Sequence, residues 1–253
     1  MPFLPPSHEV HVWSVDVEQA RAMSLGGRYL DLCDPSERKR HSAFAVPEPA
    51  FEYVVGRALL RTTLGAYLDL LPQDVELVVE ELGRPVLAPP HHEVRFSLAH
   101  SRGVVVCAVA LGASVGVDVE DVERPIEALE LAQRFFCPSE AADLSVLPEE
   151  ARRRRFFQLW TLKEACLKAL GTGLREGLDR FCFDFSRGDT WPQLVSPDPR
   201  WQLGQLSVPP RHLVAVALRE ETPANGRQLV VRTILPLVED MACAPIIASV
   251  QTR

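Results

Sequence analysis

The longest stretch of the chain without a charged side chain runs from residue 103 to residue 117 and is built mainly of valine and alanine. It is shorter than the roughly 18 apolar residues that a membrane-spanning helix needs. Gly112-Ala113-Ser114 also interrupts it. β-Branched runs bounded by glycine and serine read as strands, so the segment predicts two strands joined by a turn. The alternation in HEVHVWSVDV predicts another strand over 8–17, and further strands are expected over 75–80, 94–98, 181–185, 201–207 and 213–218.

Between them the apolar spacing changes to the helical period. Phe51, Val54, Val55, Ala58, Leu59 and Leu64 predict a helix over 51–70 that packs on a sheet. Pro35-Ser36 opens a basic helical stretch at 37–40, and 126–136 is helical. Pro138-Ser139-Glu140 begins a helix with Ser139 as its expected N-cap. A long helix over 149–170 ends at Gly171 and Gly173. Gly83-Arg84-Pro85 and Pro89-Pro90 mark turns.

The expected fold class is α+β. Two similar halves, related by a pseudo-two-fold, each carry a small, mostly antiparallel sheet packed with helices. The seam falls near 113–116, giving an N-terminal half at 1–114, a C-terminal half at 115–220 and an extension at 221–253. Pro223-Ala224-Asn225-Gly226 reads as a linker turn before one more strand; the extension either packs on the body or hangs loose.

With 253 residues, 47% hydrophobic and 24% charged, the chain can bury a core without crosslinks. The formal charge of −7 argues against a nucleic-acid-binding face. Cysteines 33, 107, 137, 166, 182 and 243 include no C-x-x-C pair, and reduced, buried thiols are expected. The N-terminus lacks a basic n-region and a long apolar stretch, so a cytoplasmic protein without a secretory signal is expected.

Val115-Gly116-Val117-Asp118-Val119-Glu120 alternates strictly. In a strand the three valines share one face, and Gly116, Asp118 and Glu120 share the other. Carboxylates two residues apart stand about 7 Å apart, and like charges that close repel unless a cation lies between them. Hard oxygen ligands suit Mg²⁺, and Gly116 is expected to leave space for a ligand. By itself such a D-x-E is common on a solvent-facing strand. On the long helix Phe156, Leu159, Leu162, Cys166 and Leu170 form an apolar stripe, while Trp160, Glu164 and Lys168 form a second one. On a helix this apolar, Glu164 and Lys168 need partners: a metal would serve the first, a phosphate the second. His100, at a strand end in Phe96-Ser97-Leu98-Ala99-His100-Ser101, is either structural or a phosphate donor.

Gly83-Arg84-Pro85, Phe96–Ser101, Val115-Gly-Val-Asp-Val-Glu120 and Trp160-Thr-Leu-Lys-Glu-Ala-Cys-Leu-Lys168 together resemble the 4′-phosphopantetheinyl transferases. The length resembles the monomeric surfactin-synthetase-activating type. The resemblance covers roughly 30–220, and its most specific part is the pairing of the last two motifs about 40 residues apart. It implies Asp118, Glu120 and Glu164 as Mg²⁺ ligands, and Glu164 also as a base for the acceptor serine. Lys168 would hold the pyrophosphate and stabilise the leaving group. Lys163, His100 and Ser101 would contact coenzyme A, with Gly83, Arg84 and Pro85 beside its nucleotide. The implied partners are coenzyme A and an apo acyl or peptidyl carrier domain; no nucleic acid or membrane is implied.

Two departures stand out. Ala99 replaces a serine before the histidine, and 46–53 lacks the family's basic residue, which leaves Arg38, Lys39, Arg40 or Arg57 to grip phosphate. The arginine run at 152–155 reads as a solvated helix face, with carrier docking as the alternative. Two other readings remain open: a metal-dependent nucleotide pyrophosphohydrolase, and a non-catalytic carrier-binding relative.

Overall fold

The structure, a computed structural model, describes residues 5–185, 193–195, 198–222, 225–239 and 246–251. Strand β1 (Glu9–Asp16) leads into helices α1 (Val17–Ala22), α2 (Gly26–Asp31), α3 (Pro35–Ser42) and α4 (Pro47–Leu68). The hairpin β2 (Leu77–Val79) and β3 (Pro85–Leu87) follows, then β4 (Val94–Ser101), β5 (Val104–Leu111) and β6 (Ser114–Asp121). Helices α5 (Ala128–Phe135), α6 (Pro138–Ser145) and α7 (Glu149–Leu170) come next. Strands β7 (Phe183–Asp184), β8 (Gln193–Leu194), β9 (Trp201–Val208), β10 (His212–Arg219), β11 (Gln228–Thr233) and β12 (Ile246–Gln251) complete the chain.

Two sheets organise these elements, a five-stranded one in the order β12-β11-β1-β5-β4 and a three-stranded one in the order β6-β10-β9. All their pairings are antiparallel except β1 with β11. The sheets lie face to face, with α4 outside the first and α7 outside the second. A strand buried on both faces reads as a continuous apolar run, and β5 and β10 do so. Val105, Cys107 and Val109 pack under α4, whereas Val104, Val106, Ala108 and Ala110 fill the layer between the sheets. On β10, Ala215 and Ala217 meet α7 and Val214, Val216 and Leu218 join the middle layer.

The extension does not hang loose. β11 pairs in parallel with β1, Glu9 opposite Gln228 through Ser14 opposite Thr233. Leu229 and Val231 enter the middle layer. The turn expected at Pro223-Ala224 lies outside the described residues, as does Cys243.

Three local expectations need correction. Short helices α1 and α2 were not predicted; Asp16 caps α1 by accepting from the backbone N–H groups of Glu18 and Gln19. Helix α6 starts two residues earlier than an N-cap at Ser139 implies. Pro138 takes its first turn, Cys137 is the N-cap, and Glu140 accepts from the Cys137 N–H at 3.0 Å. The expectation of reduced thiols throughout fails for Cys137 and Cys182, which form a disulfide with Cα atoms 5.8 Å apart. Their sequence separation of 45 gave no sign of it, because only the packing of α6 against the segment after α7 brings them together. Cys33, Cys107 and Cys166 are free and buried.

Candidate active site

The alternation in β6 persists in three dimensions. Val115, Val117 and Val119 are buried between the sheets, so Gly116, Asp118 and Glu120 face α7. Gly116 does not make room for a ligand, as its sequence context suggested. A Cβ there would run into the Ala165 carbonyl oxygen and the Ala169 nitrogen; the missing side chain lets the α7 backbone settle directly on the strand. Ala165 and Ala169 directly follow Glu164 and Lys168, so this close approach brings Lys168 onto Asp118 and Glu164 within its electrostatic reach.

Lys168 Nζ donates to Asp118 Oδ1 at 2.7 Å. The other Asp118 oxygen is buried and has no partner. Glu120 accepts from Ser101 Oγ at 3.4 Å and from the Arg124 guanidinium at 3.1 Å. Burial raises the pKa of all three carboxyl groups. For Asp118 it outweighs the nearby Lys168 ammonium, and for Glu120 it outweighs Arg124. Glu164 is pushed up to about 7, first by burial and then by the negative charges of Asp118 and Glu120, against the opposing Lys168. Three acids therefore share one electrostatic environment. Among the described residues no three acidic, cysteine or histidine side chains already form a coordination sphere; Asp118 is paired with Lys168 and Glu120 with Arg124.

Beside the acids opens a cleft of about 380 Å³, lined among others by Gly83, Arg84, Pro85, His100 and Lys168. The β2–β3 turn is held there by Arg84, which pairs with Glu80 at 2.9 Å and reaches the Ala169 carbonyl at 3.4 Å. Gly171, at φ +74°, ends α7 against that guanidinium, which a Cβ would meet at 2.8 Å. His100 is well exposed and lies 3.7 Å from the Glu52 carboxylate. Arg40 and Arg57 also line the cleft; Glu37 fixes Arg57 at 3.2 Å.

The sequence pattern of the 4′-phosphopantetheinyl transferase superfamily matches residues 114–217, the segment that carries the acids and α7. The chain is 34% identical over 218 residues to the 4′-phosphopantetheinyl transferase HetI of Nostoc sp., spanning 84% of this chain and 88% of that one. It belongs to the 4′-phosphopantetheinyl transferase superfamily. It is also 28% identical to the transferase Sfp of Bacillus subtilis, over 67% of this chain and 74% of Sfp. With psf-1 of Bacillus pumilus the identity is 33%, over 68% and 72% of the two chains. It is thus a transferase of the longer, Sfp-like type.

Several residues singled out by the motifs take other places in this transferase. Lys163 is not in the cleft. It is fully buried, pairs with Glu140 at 2.6 Å and donates to the carbonyls of Leu178, at 3.1 Å, and Phe181. Next to Glu164 on a helix, it projects about 100° away from it and anchors the segment after α7 instead. Ser101 turns to β6: its hydroxyl donates to Glu120 and accepts from the Asp121 N–H at 3.1 Å. Ala99 packs between the sheets, so its side chain faces away from His100. Arg38 donates to the carbonyls of Cys33 and Asp31 and is occupied there.

In the arginine run, Arg152 holds the carbonyls of Leu144 and Leu147, and Arg153 pairs with Glu150 at 3.0 Å. Arg155 lies 3.4 Å from the Phe185 ring centroid. Two residues that the motifs did not single out, Glu52 in the cleft and Arg124 on Glu120, were hidden because neither lies in an alternating or helical stripe. Among the described residues no helix is long and apolar enough to cross a membrane.

Proposed function

We propose that this chain transfers the 4′-phosphopantetheine of coenzyme A to a serine of an apo acyl or peptidyl carrier domain, with Mg²⁺, releasing 3′,5′-ADP. What supports the reading is the Lys168–Asp118 pair at the edge of a basic cleft, with Glu120 and Glu164 within electrostatic reach of Asp118. The donor set fits a hard divalent cation: burial destabilises all three carboxylates, neighbouring negative charge adds to this at Glu120 and Glu164, and one Asp118 oxygen is buried with nothing to bind. Asp118, Glu120 and Glu164 would hold the ion, which would supply Lewis-acid polarisation of phosphate oxygens.

The chain's own groups account for the rest. Gly83-Arg84-Pro85, His100, Arg40 and Arg57 bind the nucleotide and its phosphates in the cleft. Glu164 accepts the proton of the carrier serine, whose oxygen forms a bond to the β-phosphorus as the bond to the bridging diphosphate oxygen breaks. Lys168 turns from Asp118 to the diphosphate and stabilises the charge that develops on the leaving group. Such chemistry rests mainly on positioning and electrostatics. On this reading the enzyme acts as a monomer in the cytoplasm.

Incubation with coenzyme A, Mg²⁺ and apo carriers, read by intact mass, tests the reading. Asp118→Ala and Glu164→Ala are expected to abolish modification while the fold persists, and Lys168→Ala to lower kcat by about 10²–10³. Near-normal modification by Asp118→Ala would remove the metal assignment. Release of 3′,5′-ADP without carrier would favour a hydrolase.

A further inference from the structure

Two of the three site carboxylates already have a cation. Lys168 serves Asp118 at 2.7 Å, and it lines the cleft where a phosphate would draw it away. Arg124 serves Glu120 at 3.1 Å and lines no such cleft. Its position is built. The strand β6 ends at Asp121, whose side chain accepts from the Glu123 N–H at 2.9 Å and whose carbonyl accepts from the Arg124 N–H at 3.1 Å. This tight turn returns Arg124 over the strand it has just left. Its guanidinium lies 5.5 Å from the ring centroid of Phe157, a fully buried residue of α7. Phe157 is seven residues, two helical turns, before Glu164 and so on the same side of α7. The Arg124 Nε is buried without a partner, while the side chain as a whole is 40% exposed. It is held by one carboxylate and one aromatic face, and open to water on its outer side.

We propose that Arg124 is the resident counter-ion of Glu120: it neutralises this carboxylate in the metal-free enzyme, gives it up to a divalent cation, and so sets the cation affinity of the site. The inference rests on the reading of Asp118, Glu120 and Glu164 as metal ligands. An Arg124 that stays on Glu120 competes for a ligand oxygen and adds a positive charge close to the ion. Turning out to solvent costs it little, because ion pairs that water can reach are weak. Removing the competitor and its charge is therefore expected to tighten binding by roughly three- to tenfold.

The test is Mn²⁺ binding to the full chain without coenzyme A, followed by calorimetry and by the electron paramagnetic resonance of free Mn²⁺. Arg124→Gln is expected to bind tighter than wild type, and Arg124→Lys, which keeps the charge, to stay close to wild type. In a Glu120→Gln background the Arg124→Gln change is expected to lose most of its effect, as it must if it acts through Glu120. Unchanged or weaker binding by a folded Arg124→Gln variant would overturn the proposal while leaving the metal site intact. Absence of any wild-type Mn²⁺ binding that Glu120→Gln removes would instead overturn the metal reading, and this inference with it.

Discussion

Glu164 is the proposed base for the carrier serine, and its environment makes a prediction about stability. Its carboxyl pKa rises from 4.5 in the unfolded chain to about 7 in the folded one, because it is partly buried beside Asp118 and Glu120. Between these values the native state binds a proton that the unfolded state has lost, so stability falls as pH rises through the window. Thermal unfolding of the metal-free protein is thus expected to show a Tm that drops from pH 5 to pH 7.5, with a smaller drop in Glu164→Gln. A wild-type Tm that rose over this range in parallel with that of Glu164→Gln would contradict the clustering of the three acids. The same residue illustrates how far the primary structure is legible. The i, i+4 relation of Glu164 and Lys168 was readable from the motif, since both must lie on one side of α7. Lys163 was not assignable, because its direction is plain from helix geometry but what waits there, Glu140 and two carbonyls, comes from a segment folded back from elsewhere.

Among the elements, β6 and α7 form the unit that matters, and Gly116 sets their separation. An alanine at this position would place a methyl group on the Ala165 carbonyl. Backbone cannot rotate away as a side chain can, so α7 would have to lift. Gly116→Ala is expected to cost about 3 kcal/mol, at the upper end of typical overpacking, and to lower transfer by moving Glu164 and Lys168 away from Asp118. Denaturant unfolding measures the first effect and modification rate the second; wild-type stability would mean that the helix does not rest on the strand. The alternation of β6 and the stripes of α7 were visible beforehand because each is a local period. That the glycine face meets a helix rather than a ligand was not visible, since both readings predict the same missing side chain.

At the scale of the whole molecule, the two sheets and their shared apolar layer make the halves interdependent. β11 lies between β1 and β12, so the last part of the chain completes the sheet formed by the first. A chain ending at residue 221 would lose Leu229, Val231, Ile234 and Leu235, all buried, and would leave the β1 edge unpaired. At about 1.5–3 kcal/mol for each buried side chain, the loss matches the ~5–15 kcal/mol that keeps a domain folded. The truncated chain is expected to lose its cooperative thermal transition and to aggregate. A sharp transition near the full-length Tm would show the extension to be dispensable.

Read alone, the chain indicated most of its strands, its two long helices, the valine face of β6 and the shared side of Glu164 and Lys168, because all of these follow from periods that repeat within a few residues; the grouping of 118, 120, 164 and 168 into one site came from the family resemblance. Tertiary structure decided that α7 packs on Gly116, that Cys137 meets Cys182, that Arg124 returns to Glu120 and that β11 joins β1. Each of these contacts depends on the path of the chain rather than on local spacing; even the turn that brings Arg124 back is fixed by backbone bonds no repeat announces. A local period constrains which way a side chain points, whereas what it meets there is supplied by residues distant in sequence.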